Sequence, residues 1–373
     1  MATAQSSVTH NLHFNPSQRK PLLKSQPTAS SAPSSLAPVL GHKKKHTHPT
    51  GLSGDENASI TFIGNATTVL EWEGLRILTD PNFLHAGDHL HLGPGVTAKR
   101  LHDPAVDLHQ LPPLDAILLS HYHADHFDQL VEDSLNRDFT IISTPHAKEC
   151  LAGKEEPFTG VVDLDFWKSA MIHVGGEKTG EGKARQPRVK ITGMPGKHVP
   201  PGPLAVVNDL LGAVPPTNGW MIELGYEESS IADPPAGEAA ALGGPVAGTG
   251  EGSKELKTGY RIYISGDTLF VDELKDIPKW LKDEKVDLML VHLGGTTIMG
   301  PKLPLIMVTM DGKQGLQLMR LMDPDVTIPI HFDDYDVMLK GLDDFKENVN
   351  GTEFEKKVVY LDRGEQYLFK VRE

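Results

Sequence analysis

Cysteine is nearly absent from the chain: Cys150 stands alone among 373 residues. That excludes an intramolecular disulfide, and nothing in the composition points to an oxidising compartment. Burial on a short helix after Pro145, rather than nucleophilic catalysis, is the expected role of this thiol. Long apolar runs are missing too. None approaches the roughly 20 residues that a membrane-spanning helix requires, so no transmembrane segment is expected. Acids are missing from the first 54 residues, which hold six cations, Arg19, Lys20, Lys24, Lys43, Lys44 and Lys45. With a formal net charge of −14 for the whole chain, the remainder therefore carries −20. A body that acidic repels phosphate backbones, which argues against nucleic acid and for a small-molecule partner.

What is present divides the chain unevenly. Residues 1–57 are Ser, Pro, Ala, Thr, Lys and His without hydrophobic periodicity. Such a segment cannot offset its conformational entropy by burial, and it reads as a disordered tail. Its acid-poor, Ser-rich character leaves organellar targeting open, although its first eighteen residues hold no Arg or Lys. Otherwise the cytoplasm is the expected location. Residues 58–373 are expected to form one domain with a full core. It opens with an antiparallel meander over Ile60 to Asp80, punctuated by Asn65-Ala66-Thr67 and Glu73-Gly74. A stretch at about 227–258, rich in Gly, Ala, Pro and Glu, reads as a mobile surface insertion.

One stretch organises this domain. His121-Tyr122-His123-Ala124-Asp125-His126 follows the apolar run Leu114 to Ser120, which reads as a buried strand. Four metal-competent side chains within six residues can hardly all bind one ion with good geometry, so the spacing points to two adjacent metals. His198, Asp267 and His331 repeat the placement, each at or just after the end of another strand-like run. Two three-ligand sets joined by a bridging carboxylate would form a dinuclear centre of the kind used in metal-assisted hydrolysis.

On these residues the chain resembles the metallo-β-lactamase superfamily, whose signature H-x-H-x-D-H stands here as His121 to His126. The resemblance spans about 59–371. It takes in Leu78-Thr79-Asp80-Pro81, Gly196-Lys197-His198, Ser265-Gly266-Asp267-Thr268 and Pro329-Ile330-His331. It is most similar to the branch containing L-ascorbate-6-phosphate lactonase and N-acyl phosphatidylethanolamine phospholipase D. That branch usually opens with Gly-His-Ala-Thr, where this chain has Gly64-Asn65-Ala66-Thr67.

The resemblance implies an α/β fold, a four-layer αββα sandwich. It also implies that His121, His123 and His198 hold one metal and Asp125, His126 and His331 a second, with Asp267 bridging. The expected cofactors are two divalent ions, zinc by default, with manganese and iron suited to the same ligands. Asp125 would orient the attacking water or relay its proton, and Asp80 would support a ligand from behind. True β-lactamases of this fold carry Cys where Asp267 stands, which argues against a β-lactam substrate. Diiron oxidoreductases of the fold carry Glu where His123 stands. The reaction implied is hydrolysis of a small ester or lactone by hydroxide held between the metals. A phosphodiester substrate is the first alternative, and a metal-dependent binding protein without turnover the second. Tyr335 reads either as a phenol beside the second metal or as the first residue of a helix capped by Asp334.

Overall fold

A computed structural model of the chain describes residues 7–25, 33–41, 43–51, 54–93, 96–175, 185–203, 208, 214–227, 256–298 and 306–373. Period-two patterning builds two sheets whose faces are both buried. Along the strand Ala58–Gly64, Ile60 and Phe62 face one core and Ile63 the other. Along Leu288–His292, Leu288 and Leu290 face the first core, while Met289 and Val291 turn the opposite way. The core they share lies between the sheets, where Trp72, Ile77 and Leu118 from one meet Trp220, Ile262 and Ile328 from the other. Helices Gln129–Ser134 and Pro145–Ala152 cover the outer face of one sheet through Val131, Ala147 and Leu151. Helices Asp276–Leu281, Gly312–Met322 and Leu342–Val349 cover the other through Ile277, Leu316, Met319 and Phe345. The four-layer αββα sandwich is therefore the observed architecture.

The seven-stranded sheet runs Ser7–Phe14, Lys168–Val174, Pro187–Met194, Gly219–Glu227, Leu256–Ile264, Leu288–His292, Val326–Ile330. The eight-stranded sheet runs Val161–Asp163, Ile141–Ser143, Ala116–Leu118, Leu75–Thr79, Thr67–Trp72, Ala58–Gly64, Gln366–Phe369, Lys45–His46. Each sheet contains a run of parallel neighbours besides a parallel pair at one edge: Leu256–Ile264 with Leu288–His292 and Val326–Ile330, and Leu75–Thr79 with Ala116–Leu118, Ile141–Ser143 and Val161–Asp163. Parallel strands end at the same edge, so the loops that follow them gather there. Asn218 N donates to Ser120 O at 3.0 Å and ties the two sheets together beside that edge.

Two expectations change, and a third falls largely outside the described residues. The tail over 1–57 is not structureless in its described part, because Ser7–Phe14 adds a parallel edge strand to Lys168–Val174. Leu22, Leu23, Leu36 and Leu40 are buried in the outer core, and Arg19 makes two hydrogen bonds to Asp115, at 3.0 and 3.1 Å. The insertion at about 227–258 lies from 228 to 255 outside the described residues, while Glu227 and Leu256 to Thr258 belong to paired strands. No helix begins at Tyr335: the chain makes the short strand Met338–Lys340 first, and the helix starts at Leu342. Asp334 is engaged elsewhere, in an ion pair with Arg100 at 2.8 Å. Among the described residues no helix is long and apolar enough to cross a membrane.

Candidate metal centre

Each residue singled out by its strand-end position arrives at the common edge. His121, His123, Asp125 and His126 occupy the turn after Ala116–Leu118, closed by His126 N and Phe127 N donating to His123 O at 3.0 and 2.8 Å. His198 follows Pro187–Met194, Asp267 follows Leu256–Ile264, and His331 follows Val326–Ile330. His331 takes φ 59°, Asp80 φ 35° and Asn65 φ 52°, so three turns of the edge use left-handed backbone. Such conformations cost non-glycine residues free energy and persist where the surroundings determine them; Asn, Asp and His tolerate them best.

The side chains fall into two groups. His121, His123 and His198 place ligand atoms within 4.8 Å of one another, and so do Asp125, His126, Asp267 and His331. Asp267 Oδ2 lies between the groups, 3.1 Å from His126 Nε2, 3.5 Å from His331 Nε2 and 3.8 Å from His198 Nε2. Asp125 Oδ1 is 2.9 Å from His123 Nδ1, and its Oδ2 is 3.4 Å from His331 Nε2. All are buried except His123, whose side chain is 15% exposed. The edge is thus reached from the His123 side.

The imidazoles are oriented from behind. His121 Nδ1 meets Ser120 Oγ at 2.9 Å, His198 Nδ1 meets Val308 O at 2.5 Å, and His331 Nδ1 meets Leu293 O at 3.1 Å. His123 Nε2 faces Leu92 O at 3.3 Å, and His126 Nδ1 lies 3.4 Å from Asp80 Oδ2. One nitrogen of each ring is used in this way. The opposite nitrogens of His121 and His198 are buried without a hydrogen-bond partner, while those of His123 and His126 face only the carboxylates of Asp125 and Asp267, at 2.9 and 3.1 Å. Buried polar atoms are ordinarily paired, so two unpaired imidazole nitrogens beside imidazoles that face only carboxylates fit cations bound by imidazole and carboxylate. The donor set of histidine and aspartate suits zinc, manganese or iron alike.

Electrostatics supports the same division. Burial opposes ionisation of Asp267, yet His331, His126 and His292 outweigh it and hold its carboxyl well below the usual range. Asp125 is likewise held ionised against burial by His126, His123 and His331. Burial, with neighbouring imidazoles, pushes His121 well down and His198 to about 4. His126 and His331 go the other way, because Asp267 and Asp125 overcome their burial.

One support was not anticipated, and another takes a role different from either expected of it. His292 ends its strand fully buried, with Nδ1 2.9 Å from Asp267 Oδ1 and its ring stacked on His126 and His331. It also forms, with Asp80 and His126, a third set of potential ligand atoms within 4.8 Å of one another. The strand-end rule that selects the other ligands would have selected it. Tyr335 is the second: its hydroxyl donates to Asn82 Oδ1 at 2.9 Å and accepts from Arg100 at 3.2 Å, a scaffold role rather than a ligand's.

Two layers of helix around two facing sheets, with histidines and aspartates at one sheet edge, define the metallo-β-lactamase fold. A sequence profile described as a beta-lactamase superfamily domain matches residues 75–224. Over that span, which holds His121, His123, Asp125, His126 and His198, the chain is similar to the beta-lactamase superfamily domain. It is 22% identical over 279 residues to a UPF0173 metal-dependent hydrolase of Thermodesulfovibrio yellowstonii, covering 75% of this chain and 84% of that one. It is 28% identical over 134 residues to the mitochondrial N-acyl-phosphatidylethanolamine-hydrolyzing phospholipase D of Saccharomyces cerevisiae, 35% of this chain and 28% of that one. Its 40% identity to an uncharacterized Mycobacterium tuberculosis protein extends over 70 residues, 19% of this chain and 18% of that protein's length. The isothiocyanate hydrolase from Delia radicum gut bacteria shares the fold, with TM-score 0.58 and 18% identity over 84% of this chain and 99% of that one.

Proposed function

We propose that the chain is a metal-dependent hydrolase that uses two divalent cations, by default zinc, on a small ester or lactone in the cytoplasm. The observation that carries this is the convergence of ligand atoms into two groups that meet at Asp267 Oδ2. Cations bound there supply charge that polarises a substrate oxygen and lowers the pKa of water toward neutrality. The protein supplies the rest. Asp267 and Asp125, held ionised, balance the cationic charge within a site from which bulk water is largely excluded. Asp125 orients the attacking water or relays its proton, with His123 Nδ1 2.9 Å from Oδ1 and His331 Nε2 3.4 Å from Oδ2. Substrate enters over His123, the one ligand with an exposed flank.

The similarity to a phospholipase D favours a second reading, a phosphodiester substrate. An anionic phosphodiester would approach a body of charge −20, which favours the neutral ester or lactone. Metal analysis coupled to hydrolysis assays on lactones, carboxylic esters and phosphodiesters decides the matter. The expected result is about two equivalents of metal, with lactone or ester turnover lowered on the order of a hundredfold or more in Asp267→Ala. Metal-free native protein, or Asp267→Ala as fast as the parent, refutes the reading. Two bound metals without any turnover would identify a binding protein instead.

A further inference from the structure

We infer that Asn65 is a positioning residue that holds the second ligand group, Asp125 and His331, in register across the two sheets. The inference rests on the dinuclear reading above and assigns a task to the position where this chain departs from its resembling branch. Asn65 occupies a two-residue turn between Gly64 and Thr67, is fully buried and has φ 52°. Its side-chain Nδ2 donates to the main-chain carbonyl of Asp125 at 2.6 Å. Its own carbonyl accepts from His331 N at 3.0 Å. Its N–H donates to Asp334 Oδ2 at 2.5 Å, and Asp334 is anchored by Arg100 and Arg363 at 2.8 and 2.9 Å.

One residue therefore grips a ligand turn from the eight-stranded sheet and a ligand turn from the seven-stranded sheet. His121 and His123 share the turn of Asp125, but no ring of the first group meets Asn65. His121, His123 and His198 are oriented by Ser120, Leu92 and Val308. The amide orientation follows from chemistry, because a flipped Asn65 would set Oδ1 against the Asp125 carbonyl. In the orientation present, Oδ1 is buried without a donor. An unmatched buried acceptor is destabilising, so the grip on Asp125 is kept at the expense of local stability. Asparagine meets both demands of the position, tolerance of left-handed backbone and a side-chain N–H donor.

The test uses Asn65→Asp, which keeps shape and backbone preference but replaces the donor by an acceptor, and Asn65→Gly, which keeps only the backbone freedom. Metal-free full-length protein is titrated with Zn²⁺ against a chromophoric chelator and with Co²⁺ followed by its visible absorption. The parent binds two equivalents. Both variants are expected to bind one equivalent as the parent does and the other roughly 10–100-fold more weakly, the cost typical of losing a partner behind a ligand. The Co²⁺ spectrum at one equivalent should match the parent's and at two should differ. Equal weakening of both equivalents, or parent-like binding of both, overturns the role of Asn65. So does an Asn65→Asp protein that fails to fold, since a positioning contact can be lost without losing the fold. A parent that binds fewer than two equivalents overturns the dinuclear reading and this inference with it.

Discussion

Replacing His292 by Phe tests whether Asp267 is the shared member of both ligand groups. Phe retains a planar ring close in volume to imidazole, so the stacking on His126 at 5.8 Å and on His331 at 5.5 Å can survive. The change that remains is the lost partner of Asp267 Oδ1, 2.9 Å away. A hydrogen bond to a charged group is worth roughly 1.5–3 kcal/mol. At about 1.4 kcal/mol per tenfold, that converts to affinity losses of about 10- to 150-fold. Because Oδ2 of the same carboxylate faces His198 of the first group and His126 and His331 of the second, both equivalents of metal should weaken. That pattern differs from the selective loss expected at Asn65. Chelator competition with Zn²⁺ at neutral pH, alongside circular dichroism to establish the fold, reads the result. Affinities within threefold of the parent in folded His292→Phe would refute the claim that His292 fixes the Asp267 carboxylate.

The N-terminal segment gives a stability prediction: Arg19→Met strands Asp115, whose side chain is 2% exposed, and leaves it the main-chain N–H of Arg76 at 2.7 Å. The cost should fall near the lower end of the roughly 3–5 kcal/mol for breaking a buried pair, and a loss under about 1 kcal/mol in urea denaturation would show that the segment is not integral to the fold. Metal binding should also depend on pH unequally. His126 and His331, raised against burial by Asp267 and Asp125, hold protons near neutrality that a cation must displace, so second-group affinity falls as pH falls. His121 and His198, lowered by burial, are already neutral there, so neither has a proton for a cation to displace near neutrality. Calorimetric titrations in buffers of different ionisation enthalpy should show more proton release with one equivalent than with the other; equal release with both contradicts this division.

How much of this was readable from the sequence follows from where each residue's partners lie. Strand ends were readable because near-continuous apolar runs such as Leu114 to Ser120 and Val286 to Leu293 announce themselves locally. The parallel groups within each sheet then bring those ends to one edge, and the seven strand-end residues gather there. His292 carried the same signal, yet it was absorbed into its strand because its partner, Asp267, is 25 residues away. The N-terminal segment hid its order in the same way. Leu22 and Leu23 have no periodic neighbours, and their burial depends on Leu135 and on the Arg19 to Asp115 pair, 96 residues apart. Asn65 is the extreme case, tied to Asp125 and Asp334 over 60 and 269 residues. A pattern along the chain reports which face a residue presents; it does not report what that face meets. One local sign did exist at the edge. Asn65, Asp80 and His331 all follow strands, and all belong to the few residue types that tolerate positive φ. Where a strand that should continue ends instead on such a residue, backbone geometry aims the next side chain, and a ligand turn is the first thing to look for.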